Sequence, residues 1–370
     1  MNNTDNIYNL AVAGVQGLIA YKAGKPIEEL ERELGLTRII KLASNENPLG
    51  PGKKALAAIQ AALHTLALYP DGSGFSLKEA LAEKYAVDIS QITLGNGSNE
   101  ILELVARAFL TPEFEVVFSQ HAFAVYPIVT QAVGATAVVV PALNYGHDLD
   151  AMLQAVTEKT RLVFIANPNN PTGTLLSQVS LERFFSALPD TCVCVLDEAY
   201  FEFVSGVESI NSIEWLKKFP NLLITRTFSK AYGLAGLRIG YGLSSPQLAD
   251  ILNRVRQPFN NNSLALVAAQ AALTDVEHLQ QTLAVNALGM QQLTDGFKSL
   301  GLELVPSAGN FVLVDLKKAG QPVYESLLRK GVIVRPVGNY ELPNHLRISI
   351  GTAAENQLFL QALADTLANV

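Results

Sequence analysis

Leu162-Val-Phe-Ile-Ala-Asn167-Pro-Asn-Asn170-Pro171-Thr172-Gly173 decides the architecture. Its opening run, Leu162–Ile165, is short and continuously apolar. That pattern reads as a strand buried on both faces rather than one with a wet side. The prolines and glycine behind it fix a tight turn. The same rhythm extends both ways along the chain. Ile92–Leu94, Val116–Phe118 and Ala137–Val140 precede it, and Val193–Leu196, Leu222–Ile224 and Arg238–Tyr241 follow. Longer amphipathic segments such as Glu100–Leu110 and Leu181–Leu188 separate most of these runs. Buried strands alternating with helices predict an α/β unit with a mostly parallel central sheet flanked by helices.

Farther out the pattern changes. Lys53–Leu66 is rich in Ala and Leu, follows Pro51-Gly52 and reads as a helix. Beyond residue 245 a long helical stretch, Ser263–Leu300, is expected to join the first unit to a second. The second unit alternates the runs Phe311–Asp315, Val332–Val334 and Leu346–Ile350 with helices near Val323–Lys330 and Ala354–Ala368. It reads as a smaller α+β domain. The expected division is an N-terminal arm over residues 1–44, packing with the small domain or on a partner chain, a large domain over 45–255 and a small domain over 256–370.

Composition narrows the function. The chain has 370 residues, 49% of them hydrophobic, enough for a large core. Lys and Arg number 27 against 34 Asp and Glu, a net charge of −7. That balance argues against nucleic-acid partners, whose phosphates need clustered basic residues, and against an anionic membrane surface. The two cysteines, Cys192 and Cys194, sit too close in one apolar run for a disulfide and read as buried thiols of a reducing compartment. None of the five histidines has a second His or Cys at ligand spacing, so no metal site is expected. Leu10–Tyr21 is mostly apolar, but no Lys or Arg precedes it and Asp5 does, unlike a signal peptide. No stretch approaches the ~20 apolar residues of a membrane helix. A soluble, cytoplasmic protein is the expectation.

Four segments carry candidate chemistry. Gly95-Asn-Gly97-Ser98-Asn99-Glu100 follows a strand and opens a helix, where free backbone N–H groups can hold a phosphate. The dinucleotide fingerprint would need Gly at Glu100, so that cofactor class is disfavoured. A plain turn capped by Ser98 or Asn99 is the alternative. The Asn170 turn lies at a strand's carboxyl end, where open α/β sheets bind ligands. Asp197 closes an apolar strand and needs a cation or donors there, with Tyr200 three residues on. Thr227-Phe-Ser229-Lys230, with Arg238 just beyond, joins hydroxyls, an amine and a guanidinium. A lysine in an apolar setting can serve as nucleophile and base. Taken singly, each segment has an ordinary structural explanation. Taken together, they match a ligand with a phosphate, a phenolic oxygen, a ring nitrogen and an aldehyde, which is pyridoxal 5'-phosphate.

In these motifs the sequence resembles the fold-type I pyridoxal-phosphate-dependent aminotransferases, and most closely the histidinol-phosphate aminotransferase subfamily. The likeness runs from Gly24-Lys-Pro-Ile-Glu-Glu-Leu through Leu42-Ala-Ser-Asn-Glu-Asn-Pro-Leu-Gly and Tyr69-Pro-Asp to Leu346-Arg-Ile-Ser-Ile-Gly-Thr. The resemblance implies that Lys230 is the cofactor-bonding lysine and Asp197 the partner of the pyridine nitrogen. It implies that Asn170 and Tyr200 donate to the phenolic oxygen and that Phe123 stacks on the ring. Gly97, Ser98, Asn99, Thr227, Ser229 and Arg238 match the phosphate cup. Tyr69 matches a tyrosine that a neighbouring subunit contributes, implying a homodimer with shared sites. Tyr21, Arg335 and Arg347 match substrate anchors. The implied reaction transfers the amino group of L-histidinol phosphate to 2-oxoglutarate in histidine biosynthesis. An aromatic aminotransferase, a more distant decarboxylase of threonine phosphate and a non-catalytic relative are the alternatives. Two departures stand out. The arm reads Ala20-Tyr21-Lys-Ala23-Gly24 where relatives carry Pro-Tyr-x-Pro-Gly, and Phe123 stands where many have Tyr.

Overall fold

A computed structural model describes residues 4–21, 24–204 and 210–369. Among them, seven strands form the central sheet: β1 (Ile92–Gly95), β2 (Glu115–Ser119), β3 (Thr136–Val140), β4 (Thr160–Ala166), β5 (Val193–Asp197), β6 (Leu222–Thr227) and β7 (Gly240–Leu243). Their spatial order is β1-β7-β6-β5-β4-β2-β3. Neighbours are parallel, except that β7 runs antiparallel to β1 and β6. Arg238, read from sequence as opening the last strand, lies before it in a left-handed conformation with φ of 55°.

Why the runs are continuously apolar is visible in the packing. In β4, Val163 and Ile165 join one core while Leu162 and Phe164 join another on the opposite face. Successive side chains of a strand alternate, so a sheet covered on both sides needs apolar residues at every position. Burying each is worth roughly 1.5–3 kcal/mol. Cys192 and Cys194 are free, buried members of the first core, and burial pushes the Cys192 thiol up to about 12. The same alternation sorts the polar ends of β5 and β6. Asp197 and Thr227 line one cavity, whereas Glu198 and Arg226 form a buried ion pair at 2.8 Å elsewhere.

The stretch expected as one long helix is two. Among helices α1 (Lys53–Ala62), α2 (Ser98–Phe109), α3 (Ser263–Leu273) and α4 (Val276–Ser299), the last two are separated by Thr274-Asp275. The Asp275 side chain accepts from the His278 N–H and caps α4, which stops α3 from continuing. Ala265, Ala268, Ala269 and Ala272 of α3 pack in the core of the large sheet, beyond residue 255. Leu293 and Phe297 of α4 pack instead on a second, antiparallel sheet. That sheet holds β8 (Glu303–Val305), β9 (Phe311–Asp315), β10 (Arg335–Pro336) and β11 (His345–Ser349), in the order β10-β11-β9-β8. The arm divides its contacts. Ile40–Lys41 pairs with Val332–Ile333, and Leu30 packs with Ile333. Upstream, Gly14 lies against the backbone of Gln131 and Gly134 of the large unit, so closely that a side chain there would collide. Lys22 and Ala23 of the arm motif lie outside the described residues. No helix of the described residues is long and apolar enough to cross a membrane.

Candidate active site

A cavity of about 190 Å³ opens where the carboxyl ends of the strands meet the second sheet. From the large sheet come Asp197 at the end of β5 and Thr227 at the end of β6, followed by Tyr200, Ser229 and Lys230. The first turn of α2 brings Ser98 and Asn99, and the loops after β2 and β4 bring Phe123 and Asn170. Arg238 reaches in from its left-handed turn. The second sheet supplies Arg335 from β10 and Arg347 from β11, and the arm supplies Tyr21.

One end is built for an anion. Gly97, not Ser98 or Asn99, is the N-cap of α2, and among the described residues no side chain caps its free N–H groups. Those groups and the positive end of the helix dipole attract negative charge. Gly97 does not itself line the cavity; it permits the arrangement. Its φ is 79°, and a Cβ there would lie 2.4 Å from Arg238 Nη2. Arg238 Nη1 also donates to Ser229 Oγ at 3.3 Å. Glycine thus lets a guanidinium close over the helix start.

Asp197 is buried and oriented. Tyr126 Oη donates to its Oδ2 at 2.9 Å, and Thr225 Oγ1 donates to its Oδ1 at 3.1 Å. Burial nevertheless raises its pKa to about 6, the hydrogen bonds from Tyr126 and Thr225 only opposing it. A cationic group placed against it would restore the charged form. Tyr126 is held in turn by stacking on Phe164 at 4.6 Å.

Lys230 Nζ donates to the Ser44 carbonyl at 3.0 Å. Burial, with Arg347 nearby, pushes its pKa down to about 8, so it can exchange a proton near neutrality. Burial raises the neighbouring Tyr200 phenol to about 12, so it stays protonated and able to donate. Across the cavity Arg347 Nη1 donates to Asn170 Oδ1 at 2.6 Å, and Nη2 to the Ala43 carbonyl at 2.5 Å. Among the described residues no acceptor meets the Asn170 NH₂, which can therefore serve a ligand. Arg347 stands directly opposite Arg335 in the β10–β11 register. Both guanidiniums line the cavity, where their planar forks suit an anion.

Besides Gly97, which stands at its edge, Tyr69 is a named residue that does not line this cavity. It is 83% exposed and stacks on Phe259, with centroids 4.8 Å apart. Four residues in or behind the site were not singled out from sequence: Ser44, Asn45, Tyr126 and Thr225. Ser44 and Asn45 lie in the Leu42–Gly50 motif, so the signal was present without a role, and Tyr126 stands three residues after Phe123. Thr225 faces Asp197 directly in the β5–β6 register.

Residues 37–363 match the model of the family "Aminotransferase class I and II". A Pseudomonas fluorescens protein named histidinol-phosphate aminotransferase 2 is 61% identical, over 97% of this chain and 98% of its own. A Pseudomonas aeruginosa protein of the same name is 59% identical over 97% and 98%. Among solved structures, histidinol-phosphate aminotransferase from Sinorhizobium meliloti, in complex with pyridoxal-5'-phosphate, superposes with a TM-score of 0.90 at 32% identity, covering 97% of this chain and 98% of that one.

Proposed function

We propose what this chain, which belongs to the class I and II aminotransferases, does within that family. It moves the amino group of L-histidinol phosphate to 2-oxoglutarate, yielding imidazole-acetol phosphate and L-glutamate, a step of histidine biosynthesis. The observation that carries the reading is the facing pair Arg335 and Arg347, set apart from the anion site at α2. One cavity thereby offers two anion sites. One suits a cofactor phosphate, and the other suits in turn the donor's phosphate and the acceptor's carboxylate. The name shared by close, full-length relatives supports the same donor.

The residues present fit pyridoxal 5'-phosphate. The α2 N–H groups, Thr227, Ser229 and Arg238 would hold its phosphate, where a Cβ on Gly97 would intrude. Asp197 would face the ring nitrogen, Tyr200 and Asn170 the phenolic oxygen, Phe123 the ring, and Lys230 the aldehyde carbon. The chemistry supplied by that group when bound is an aldehyde for amine exchange and a ring that accepts electrons. The remaining work belongs to side chains of this chain. Lys230 Nζ would take the proton from the donor's α-carbon and deliver it to the former aldehyde carbon, two atoms away across the shared nitrogen. The Asp197 carboxylate, fixed by Tyr126 and Thr225, keeps a proton on its partner nitrogen. Arg347 and Arg335 orient the substrate, and Tyr21 adds a hydroxyl. Asp197→Asn cannot balance a cation, and a charge-assisted hydrogen bond is about twice as strong as a neutral one. Its kcat is expected to fall more than about tenfold, ~1.4 kcal/mol, with a smaller loss of bound cofactor. Turnover near wild type would remove Asp197 from this role.

The active unit is a homodimer with shared sites, in the cytoplasm. Tyr69 supports the dimer, because it lies outside its own cavity beside the exposed Leu66, Leu68 and Phe259. A second copy would cover that apolar face and receive Tyr69. Mixing Lys230→Ala chains with Tyr69→Phe chains tests this. A mixed dimer holds one site with both lesions and one with neither, so activity should rise above both parents. No rise after subunit exchange contradicts sharing. The donor is tested by kcat/KM for histidinol phosphate, phenylalanine, tyrosine and histidine with 2-oxoglutarate as acceptor. Histidinol phosphate is expected first, whereas an aromatic amino acid in first place would move the enzyme to the aromatic aminotransferases.

A further inference from the structure

Asn45 lies in the cavity wall, 1% exposed, with φ of 55°. Asparagine tolerates that left-handed conformation better than most residues. Its groups are all engaged. Its N–H donates to Ser349 Oγ at 2.8 Å, and its carbonyl accepts from Asn310 Nδ2 at 3.0 Å. Its Nδ2 donates to Tyr200 Oη at 2.9 Å, and its Oδ1 accepts from Ser349 Oγ at 3.0 Å.

The directions of these bonds matter more than their number. A hydroxyl has a single proton. Ser349 already accepts from the Asn45 N–H, and its one proton finds its acceptor in Oδ1. The amide is thereby held with its NH₂ toward Tyr200. A tyrosine that accepts from an amide NH₂ keeps its own proton for another acceptor, and Tyr200 borders the cavity.

We propose that Asn45 is a positioning residue that makes Tyr200 a hydrogen-bond donor into the cavity, toward the phenolic oxygen of the cofactor. The proposal rests on the reading of this cavity as a pyridoxal-phosphate site. Asn310 precedes β9 and Ser349 ends β11, so the second sheet sets the direction of a hydrogen bond made by the first. The effect falls on the lysine–cofactor link. A donor to a phenolate oxygen favours the charged oxygen. Losing that donor lets the link keep its proton to higher pH.

The test is a visible-absorbance titration of the holoenzyme, read as the pH midpoint of the colour change. Tyr200→Phe is expected to raise the midpoint by about one unit, the size expected for a lost hydrogen bond to a charged group. Asn45→Asp is nearly isosteric, but its carboxylate accepts the Tyr200 proton and turns the hydroxyl away. It should raise the midpoint about as far. Ser349→Ala adds no charge, frees the amide to turn over and should give a smaller rise. Both are repeated in a Tyr200→Phe background. The added charge of Asn45→Asp persists there and is subtracted, and the remaining shift of each variant should vanish. Unchanged midpoints for Asn45→Asp and Ser349→Ala, or equal shifts in both backgrounds, overturn the proposal. Wild-type protein that takes up no coloured, borohydride-reducible cofactor overturns the cofactor reading itself, and is told apart by that result.

Discussion

Lys230→Ala is expected to abolish transamination while leaving the fold intact. General acid–base catalysis alone contributes about 10²–10⁴-fold, and the same amine also makes the covalent link. The loss should therefore exceed 10⁴-fold, about 5.5 kcal/mol. Stability should move the other way. The folded pKa of Lys230 is lowered to about 8, so the folded state binds this proton less readily than the unfolded chain. That penalty is present below pH 8 and fades as pH rises toward the unfolded value. At pH 7 the cofactor-free variant should melt no lower than cofactor-free wild type, and the difference should shrink by pH 10. Inactivity with a lower melting temperature at pH 7 would point to misfolding. Retained turnover would show that another group moves the proton.

Arg347→Ala is expected to damage both half-reactions, with the donor and with the acceptor. Its guanidinium is buried and shares the cavity wall with Asn170 and the Ala43 carbonyl. Removing one partner of a buried charged pair costs roughly 2–5 kcal/mol, which is ~30- to 5,000-fold in kcat/KM. Arg347→Lys should recover only part, because an ammonium cannot span two acceptors as the planar fork does. Single-turnover kinetics of each half-reaction separate the two substrates. Loss confined to one half-reaction would mean that the phosphate and the carboxylate are held by different groups. Loss in neither would make Arg347 a structural residue alone.

Much of the cavity was legible because strand ends announce themselves. Asp197 stands out since it closes a run of buried apolar residues, where an ionisable group is costly without a purpose, whereas Lys230 follows polar residues and gains its meaning only beside the other segments. Arg335 and Arg347 were named as anchors, but only strand pairing shows that they face each other, because residues 335 and 347 meet through the antiparallel register of β10 and β11. Tyr126 was hidden for another reason. It sits in an apolar helical segment where an aromatic residue reads as core, and it is indeed buried as well as bonded to Asp197. Asn45 and Ser44 lie in a recognisable motif, but nothing local assigns them a role, as their partners Tyr200, Lys230 and Ser349 lie 155 to 304 residues away. The division of Ser263–Leu300 was missed because Thr274-Asp275 lies between two good helical patterns, and the Asp275 cap acts through its side chain rather than by breaking the hydrophobic period. Arg238 was drawn into a strand by its apolar neighbours, although the guanidinium needs the left-handed turn to reach Ser229.

The most direct measurement is borohydride reduction of the holoenzyme followed by peptide mapping. Reduction makes the lysine–cofactor bond permanent, so the modified residue identifies the reacting amine. The expected result is one pyridoxyl label per chain, on Lys230 in the segment Thr227–Gly233, lost after saturation with histidinol phosphate and absent from Lys230→Ala. A label on any other lysine, such as Lys41 or Lys84, would contradict the assignment of this cavity as the catalytic centre.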